Sequence, residues 1–188
     1  VARSGIARTF QNIALFSEMT ALENVVTAAC THQKSNLMDA MLWSKKLKGE
    51  EQECYDKAYA LLDFVGLKGK ENLKSRNLPY GQQRLLEIAR ALATDPKVLL
   101  LDEPVAGMNE QESAEAAELV HKLRKSGITI LLIEHHMKFV MGLCDELTVL
   151  NGGQKIAEGT PEEIQSNETV IECYLGKKRG KVVNKANV

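Results

Sequence analysis

The run Val98 to Leu101 is continuously apolar and hands over directly to two carboxylates, Asp102 and Glu103, with Pro104 behind them. A short apolar run of this kind fits a central parallel strand buried on both faces. The first polar groups after it then emerge at the strand's carboxyl edge, where ligands bind in open α/β sheets. Two adjacent acids at such an edge can divide the work of phosphoryl transfer, Asp102 helping to hold Mg2+ and Glu103 polarising an attacking water. A solvated loop after a core strand would carry the same Asp-Glu-Pro. The residues upstream separate the two readings. Leu78-Pro79-Tyr80-Gly81-Gln82 leads into a segment in which Leu85, Ile88, Ala89 and Leu92 fall at i, i+3, i+4 and i+7, which predicts a helix with one buried stripe. Gly81 then sits at a helix N-terminus, where unpaired N–H groups and the positive end of the dipole favour a phosphate. Together these residues point to nucleotide hydrolysis.

The elements that must position them are readable in outline. Ile128 to Ile133 is a second apolar strand, and the helix between the strands is predicted to start at Asn109, with Glu112 at capping-box spacing and Gly127 as its stop. Ala116, Val120 and Leu123 give that helix its apolar stripe. The strand, helix, strand order places His135 on the same sheet edge as Glu103. Ile6 to Phe10 reads as a strand, Leu22 to Thr31 and Glu50 to Val65 as helices, and Gly66 to Lys70 as a turn. Glu146 to Leu150 and Gln154 to Ala157 flank Asn151-Gly152-Gly153, a hairpin signal, and Pro161 and Val170 to Leu175 begin and end a small helical unit.

The segment Leu78 to Asn109 resembles the ABC-transporter ATPases, in which a signature turn and helix lead into a strand ending in Asp-Glu. Pro79 and Tyr80 stand where the usual Leu-Ser-Gly-Gly-Gln signature has Ser and its first Gly. That variant, with Ala106 to Asn109, is similar to the ATP-binding subunits of bacterial branched-chain amino-acid importers. GIARTFQNIALFSEMTALENV, ILLIEHHMKFVMGLCDELTVLNGG and IAEGTPEEIQSNETVIECYLG agree with it. The resemblance implies a P-loop NTPase-type α/β fold, a parallel sheet core with an inserted α-helical subdomain. It implies that Gln11 is the Q-loop glutamine, reaching Mg2+ and the attacking water, and that His135 is the switch histidine on the γ-phosphate. Tyr80, Gly81 and Gln82 would face the partner's nucleotide, and Asn109 would lie in the loop that touches the second ATPase subunit. ATP and Mg2+ are the implied ligands.

Three departures matter. His136 stands where an acid commonly follows the switch histidine, and Pro79 lacks the hydroxyl a serine would offer the γ-phosphate. The third is the largest: no G-x-x-x-x-G-K-[ST] phosphate loop occurs in the 188 residues, and the first residue is Val1. The expectation is that the loop lies upstream, which would make this an N-terminally truncated ABC ATPase, inactive by itself.

Composition is that of an ordinary globular chain, 44% hydrophobic and 26% charged, with no apolar run long enough for a membrane span and no signal pattern. Any membrane contact is therefore expected to be through a partner, and the resemblance implies a cytoplasmic protein, peripheral on the inner face of the membrane. Cys30, Cys54, Cys144 and Cys173 are widely spaced and read as free, buried thiols. From Gly176 onward there are five basic residues and no acids, which reads as a solvated tail, and no nucleic-acid partner is expected. Leu37, Met38, Met41, Leu42 and Trp43 read as core of the helical subdomain.

The expected organisation is a partial nucleotide-binding core at 1–12 and the helical subdomain with the signature helix at 13–95. The core with both acids and His135 follows at 96–160, then a C-terminal extension and tail at 161–188. Expected partners are a second ATPase subunit, identical or different, the transmembrane permease subunits through the helical subdomain, and indirectly a solute-binding protein outside the membrane. A non-transport ABC ATPase and a non-catalytic remnant are the rival readings.

Overall fold

The computed structural model describes residues 4–32 and 45–175, and the chain divides into two compact units, Val1–His135 and His136–Val188. The hydrophobic cluster expected from Leu37 to Trp43 and the basic tail lie outside the described residues.

The first unit is built on a parallel sheet of three strands, β1 (Ile6–Arg8), β2 (Val98–Asp102) and β3 (Thr129–Ile133), in that spatial order. Their register sets Arg8 opposite Leu100, and Asp102 opposite Ile133. The strand expected to reach Phe10 stops at Arg8. Both strands after it fall within a residue of expectation.

The sheet is apolar on both faces but, among the described residues, covered on one. Leu99 and Leu101 are fully buried while Val98 and Leu100 are half-exposed, and on β3 Leu131 and Ile133 are 54% and 50% exposed. A strand buried on both faces was the expectation from Val98 to Leu101. A run of four apolar residues has no alternation to reveal that one face lacks cover.

The helical part consists of α1 (Ala21–Ala29), a 3-10 turn at Cys30–His32, α2 (Lys45–Phe64) and α3 (Tyr80–Leu92). Thr20 and Glu23 close a capping box at the start of α1, and Ala21, Leu22, Val25 and Ala29 form its buried stripe against α2 and α3. Cys54, Ala58 and Leu62 supply the matching stripe of α2 at i, i+4, i+8. That helix starts five residues before the expected Glu50, through good helix formers at Lys45, Lys46 and Lys48 and a Gly49 with open space around it. Gly66, in the left-handed region at φ 82°, ends it.

The buried face of α3 is rotated from expectation. Gly81, Arg84, Leu86, Glu87, Ile88, Ala89 and Leu92 are buried, and Leu85 is half-exposed. Two charged residues inside the stripe shift its centre, a pattern that apolar spacing cannot register. The crossover helix α4 (Glu110–Lys125) has the Asn109–Glu112 capping box, buries Ala116, Leu119, Val120 and Leu123, and gives way to Gly127 at φ 90°.

The second unit holds α5 (Met137–Met141), an antiparallel hairpin of β4 (Leu147–Asn151) and β5 (Gln154–Gly159), α6 (Pro161–Ser166) and α7 (Glu168–Leu175). Gly152 and Gly153 both have positive φ, as a two-residue hairpin turn requires. Val149, Ile164 and Val170 form its small core, with Met137, Met141, Leu147 and Ile156 packed around them. No described helix is long and apolar enough to cross a membrane. None of the four cysteines forms a disulfide, but only Cys54 is buried; Cys30 and Cys144 are half-buried and Cys173 exposed, because short-range sequence does not fix which side of an element meets solvent.

Candidate functional site

The site lies at the carboxyl ends of the three parallel strands. Asp102 is the last residue of β2, and Glu103 follows with φ 46°, a left-handed conformation that costs a non-glycine residue energy and is retained where surrounding contacts hold it. One such contact is its N–H, which donates to the Ile133 carbonyl at 2.9 Å and fastens the turn to the end of β3.

Two separated segments converge on the Glu103 carboxylate. Gln11, just past β1, donates from Nε2 to Oε2 at 3.0 Å. His135, just past β3, sets Nδ1 3.4 Å from Oε1. The same imidazole nitrogen is 3.7 Å from Glu134, whose carboxylate accepts the His135 backbone N–H at 2.8 Å. Gln11, Glu103 and His135 thus meet as expected. Asp102 is held differently: Arg8 Nη2 donates to its Oδ2 at 2.9 Å, and the Thr9 hydroxyl accepts its N–H at 3.4 Å. Arg8 also lies over the Phe10 ring, 5.3 Å from its centre.

The Tyr80-Gly81-Gln82 segment opens α3 behind Pro79, which supplies no side-chain cap. Gly81 faces α4 so closely that a Cβ there would come within 2.8 Å of Glu112 Oε1, so the lack of a side chain is what allows the approach. Gly107, at φ 76°, lies under the Tyr80 ring, 3.2 Å from its Cε1 to an added Cβ. Asn109 caps α4: its Oδ1 accepts the Glu112 N–H at 2.9 Å and its own N–H donates to Glu112 Oε2 at 3.0 Å. Gln82 Oε1 is buried without a hydrogen-bond partner in the structure, an acceptor left unused at the start of this helix.

Two polar residues that organise the site escaped the sequence reading. Arg84, 2% exposed, donates to the Phe10 carbonyl at 2.6 Å and to that of Gln11, to the Tyr80 hydroxyl at 3.1 Å and to Glu87 at 3.2 Å. The signal available was an Arg and a Glu at i and i+3 on the face that Ile88 and Leu92 share. Asn24, fully buried on α1, donates to the carbonyls of Phe16 and Thr20 at 3.1 and 3.0 Å and accepts the Phe16 N–H at 3.0 Å. It shapes the loop that leaves Gln11. Its signal was one amide on an otherwise apolar helix face.

Charge near that loop is tuned by burial. Arg90, 5.6 Å from the centre of the Phe16 ring, has its pKa lowered chiefly by desolvation, with Glu87 opposing the shift.

Residues 1–106 match the ABC transporter family model, and residues 154–179 match that of the branched-chain amino acid ATP-binding cassette transporter. The high-affinity branched-chain amino acid transport ATP-binding protein LivG of Salmonella typhimurium is 46% identical over 177 residues, spanning 94% of this chain and 69% of that protein. BraF of Pseudomonas aeruginosa, described in the same words, is 44% identical over the same share of each. Among solved structures, the ADP conformation of MJ1267, an ATP-binding cassette of an ABC transporter, superposes with a TM-score of 0.74 at 35% identity, covering 94% of this chain and 70% of that one. With the strand-end carboxylates, the signature turn and both family models in agreement, the chain belongs to the ABC transporter ATP-binding proteins of the branched-chain amino-acid type.

Proposed function

We propose that the ATPase subunit built on these residues hydrolyses ATP to energise the uptake of branched-chain or similar hydrophobic amino acids, with Glu103 as the general base. The observation that carries the assignment is the convergence of Gln11 and His135 on the Glu103 carboxylate at the strand ends. A carboxylate that accepts from a neutral amide is oriented without being neutralised, as a group that must attract a water proton requires. His135, more than half exposed beside it, can donate toward a γ-phosphate oxygen. Tyr80, Gly81 and Gln82 would meet the nucleotide of a second ATPase subunit through the free N–H groups of α3, and Asn109 would approach the same interface while capping α4.

The residues fit magnesium. Asp102 and the Gln11 amide offer hard oxygen donors, and a carboxylate has acceptor capacity beyond its single bond to Arg8. A magnesium ion there would neutralise charge on the phosphate oxygens. The helical part would dock on permease subunits at the cytoplasmic face of the membrane, and the solute would pass through those subunits without touching this one.

The test is equilibrium binding and single-turnover hydrolysis in the full-length ATPase. Glu103→Gln is expected to bind Mg-ATP and fail to hydrolyse it, and Asp102→Asn to need more magnesium for the same binding. Loss of ATP binding in Glu103→Gln, or an unchanged magnesium requirement in Asp102→Asn, would exchange or remove the two roles.

A further inference from the structure

Arg84 joins parts of the molecule that are far apart in sequence. It stands one turn into α3, behind Tyr80 and Gly81, and its guanidinium reaches the successive carbonyls of Phe10 and Gln11 at the end of β1. The side chain of Gln11, in turn, donates to Glu103. At its other end Arg84 donates to the Tyr80 hydroxyl, and its Cζ lies 5.5 Å from the centre of that ring. The Tyr80 ring stands over Gly107, four residues after Glu103, with its Cε1 3.2 Å from where a Cβ at Gly107 would lie. Two contact routes therefore run from the start of α3 to Glu103, one through the Gln11 backbone and one through the turn at Gly107.

Stability alone does not account for this network. A buried Arg–carboxylate pair is often no better than apolar residues of the same volume, because desolvation consumes the attraction. This one is also incompletely satisfied, since Arg84 Nε and Glu87 Oε1 are buried without a hydrogen-bond partner in the structure. What the planar fork does that an apolar side chain could not is address two adjacent carbonyls at once and so fix the direction in which Gln11 leaves the sheet.

We propose that Arg84, working with Tyr80, is a positioning residue that transmits displacement of the Tyr80-Gly81 turn to Glu103, so that the general base is aligned only when that turn is engaged. The proposal rests on the reading of Glu103 as the base. It gives Tyr80, which replaces a signature glycine, a task of its own: its hydroxyl and ring connect Arg84 to Gly107, contacts a glycine could not make.

The test is steady-state hydrolysis by the full-length ATPase assembled with its permease, with kcat and KM for ATP measured beside the melting temperature. Arg84→Lys keeps the charge but loses the fork, and kcat is expected to fall about 10- to 100-fold while KM for ATP stays within about twofold, the pattern of a misplaced group and not of lost binding. Tyr80→Phe removes one hydroxyl and should lower kcat by a few-fold with the same KM. A lower melting temperature with kcat unchanged per folded molecule would mean a purely structural Arg84 and overturn the proposal. So would a raised KM with kcat intact. If Arg84→Lys does not fold, Tyr80→Phe decides, and its unaltered kcat refutes the coupling. Glu103→Gln in parallel separates the two readings. Near-normal turnover there removes the base itself, whereas an inactive Glu103→Gln beside a fully active Arg84→Lys removes only the coupling.

Discussion

Replacing Gly81 by Asp separates what that glycine does for the fold from what it does for the nucleotide. The added Cβ would meet Glu112 at 2.8 Å from Oε1 and 3.0 Å from Cδ, so the Glu112 side chain must swing away from Asn109. Half of the α4 capping box is then lost, worth about 0.5–2 kcal/mol. Removing a helical glycine returns about 0.4–1 kcal/mol through the unfolded chain, so Gly81→Ala should be nearly neutral. Aspartate adds repulsion from Glu112, about 1 kcal/mol for two charges 4 Å apart in water and more near a protein surface, partly offset by the dipole of α3. A net loss of about 1–2 kcal/mol lowers the melting temperature of a chain this size by roughly 2–8 °C, which leaves it folded at room temperature. The penalty should shrink in high salt and largely vanish in Gly81→Asp/Glu112→Gln. On the proposed reading of the turn, sedimentation and hydrolysis by the full-length ATPase should nonetheless show ATP-driven dimers and turnover abolished, because a negative charge would be added beside the α3 N–H groups proposed to meet the partner's nucleotide. Melting is followed by circular dichroism at both salt concentrations. Normal dimers and turnover in Gly81→Asp would refute the assignment of the turn, and a melting loss that Glu112→Gln fails to relieve would refute the contact.

Three further outcomes follow from the same contacts. Asn24→Ala removes four hydrogen bonds from a fully buried site, the one to the Met19 carbonyl long at 3.5 Å, and should cost about 2–4 kcal/mol in denaturant unfolding, and a loss below about 1 kcal/mol would show that the Phe16 loop does not depend on it. Glu18, Glu23 and Glu158 are held below the ordinary carboxylate range, first by hydrogen bonds from Lys74, the Thr20 backbone and Lys155 respectively. Their contribution is present above the unfolded value near ~4.3 and is lost as pH falls through the lower folded values, so melting temperature should be level from about pH 5 to 7 and drop below about 4; a rise on acidification would contradict the sign. Burial, with a hydrogen bond to Cys54, pushes the Cys30 thiol up to about 12, so iodoacetamide at neutral pH should modify the exposed Cys173 well before Cys30, as peptide mass spectrometry would show; equal rates would contradict it.

Much of this site was legible because its residues follow elements that sequence marks clearly. An apolar run ending in Asp102-Glu103 locates a strand end, and strand, helix, strand order carries His135 to the same edge. The Asn109 capping box and the Gly152-Gly153 turn are local chemistry, readable over four residues. What escaped is long-range. That Arg84 reaches Phe10 and Gln11 across more than seventy residues depends on how α3 packs beside β1, which no spacing encodes. The rotated stripe of α3 has the same cause, because a buried ion pair looks like surface in a hydrophobic pattern. Leu131 and Ile133 read as core although half of each is exposed, since apolar character states what a face prefers and not whether anything covers it.

The central claim is that the Glu103 carboxylate drives amino-acid uptake, and it is tested most directly by measuring ATP hydrolysis and leucine accumulation together. The full-length ATPase, its permease and its solute-binding protein in proteoliposomes would be compared with the same assembly carrying Glu103→Gln. Hydrolysis should fall by roughly 10² to 10⁴-fold, equivalent to about 2.7–5.4 kcal/mol of barrier, and leucine accumulation should fall with it while Mg-ATP remains bound. Continued leucine accumulation or near-normal turnover in Glu103→Gln would contradict the account.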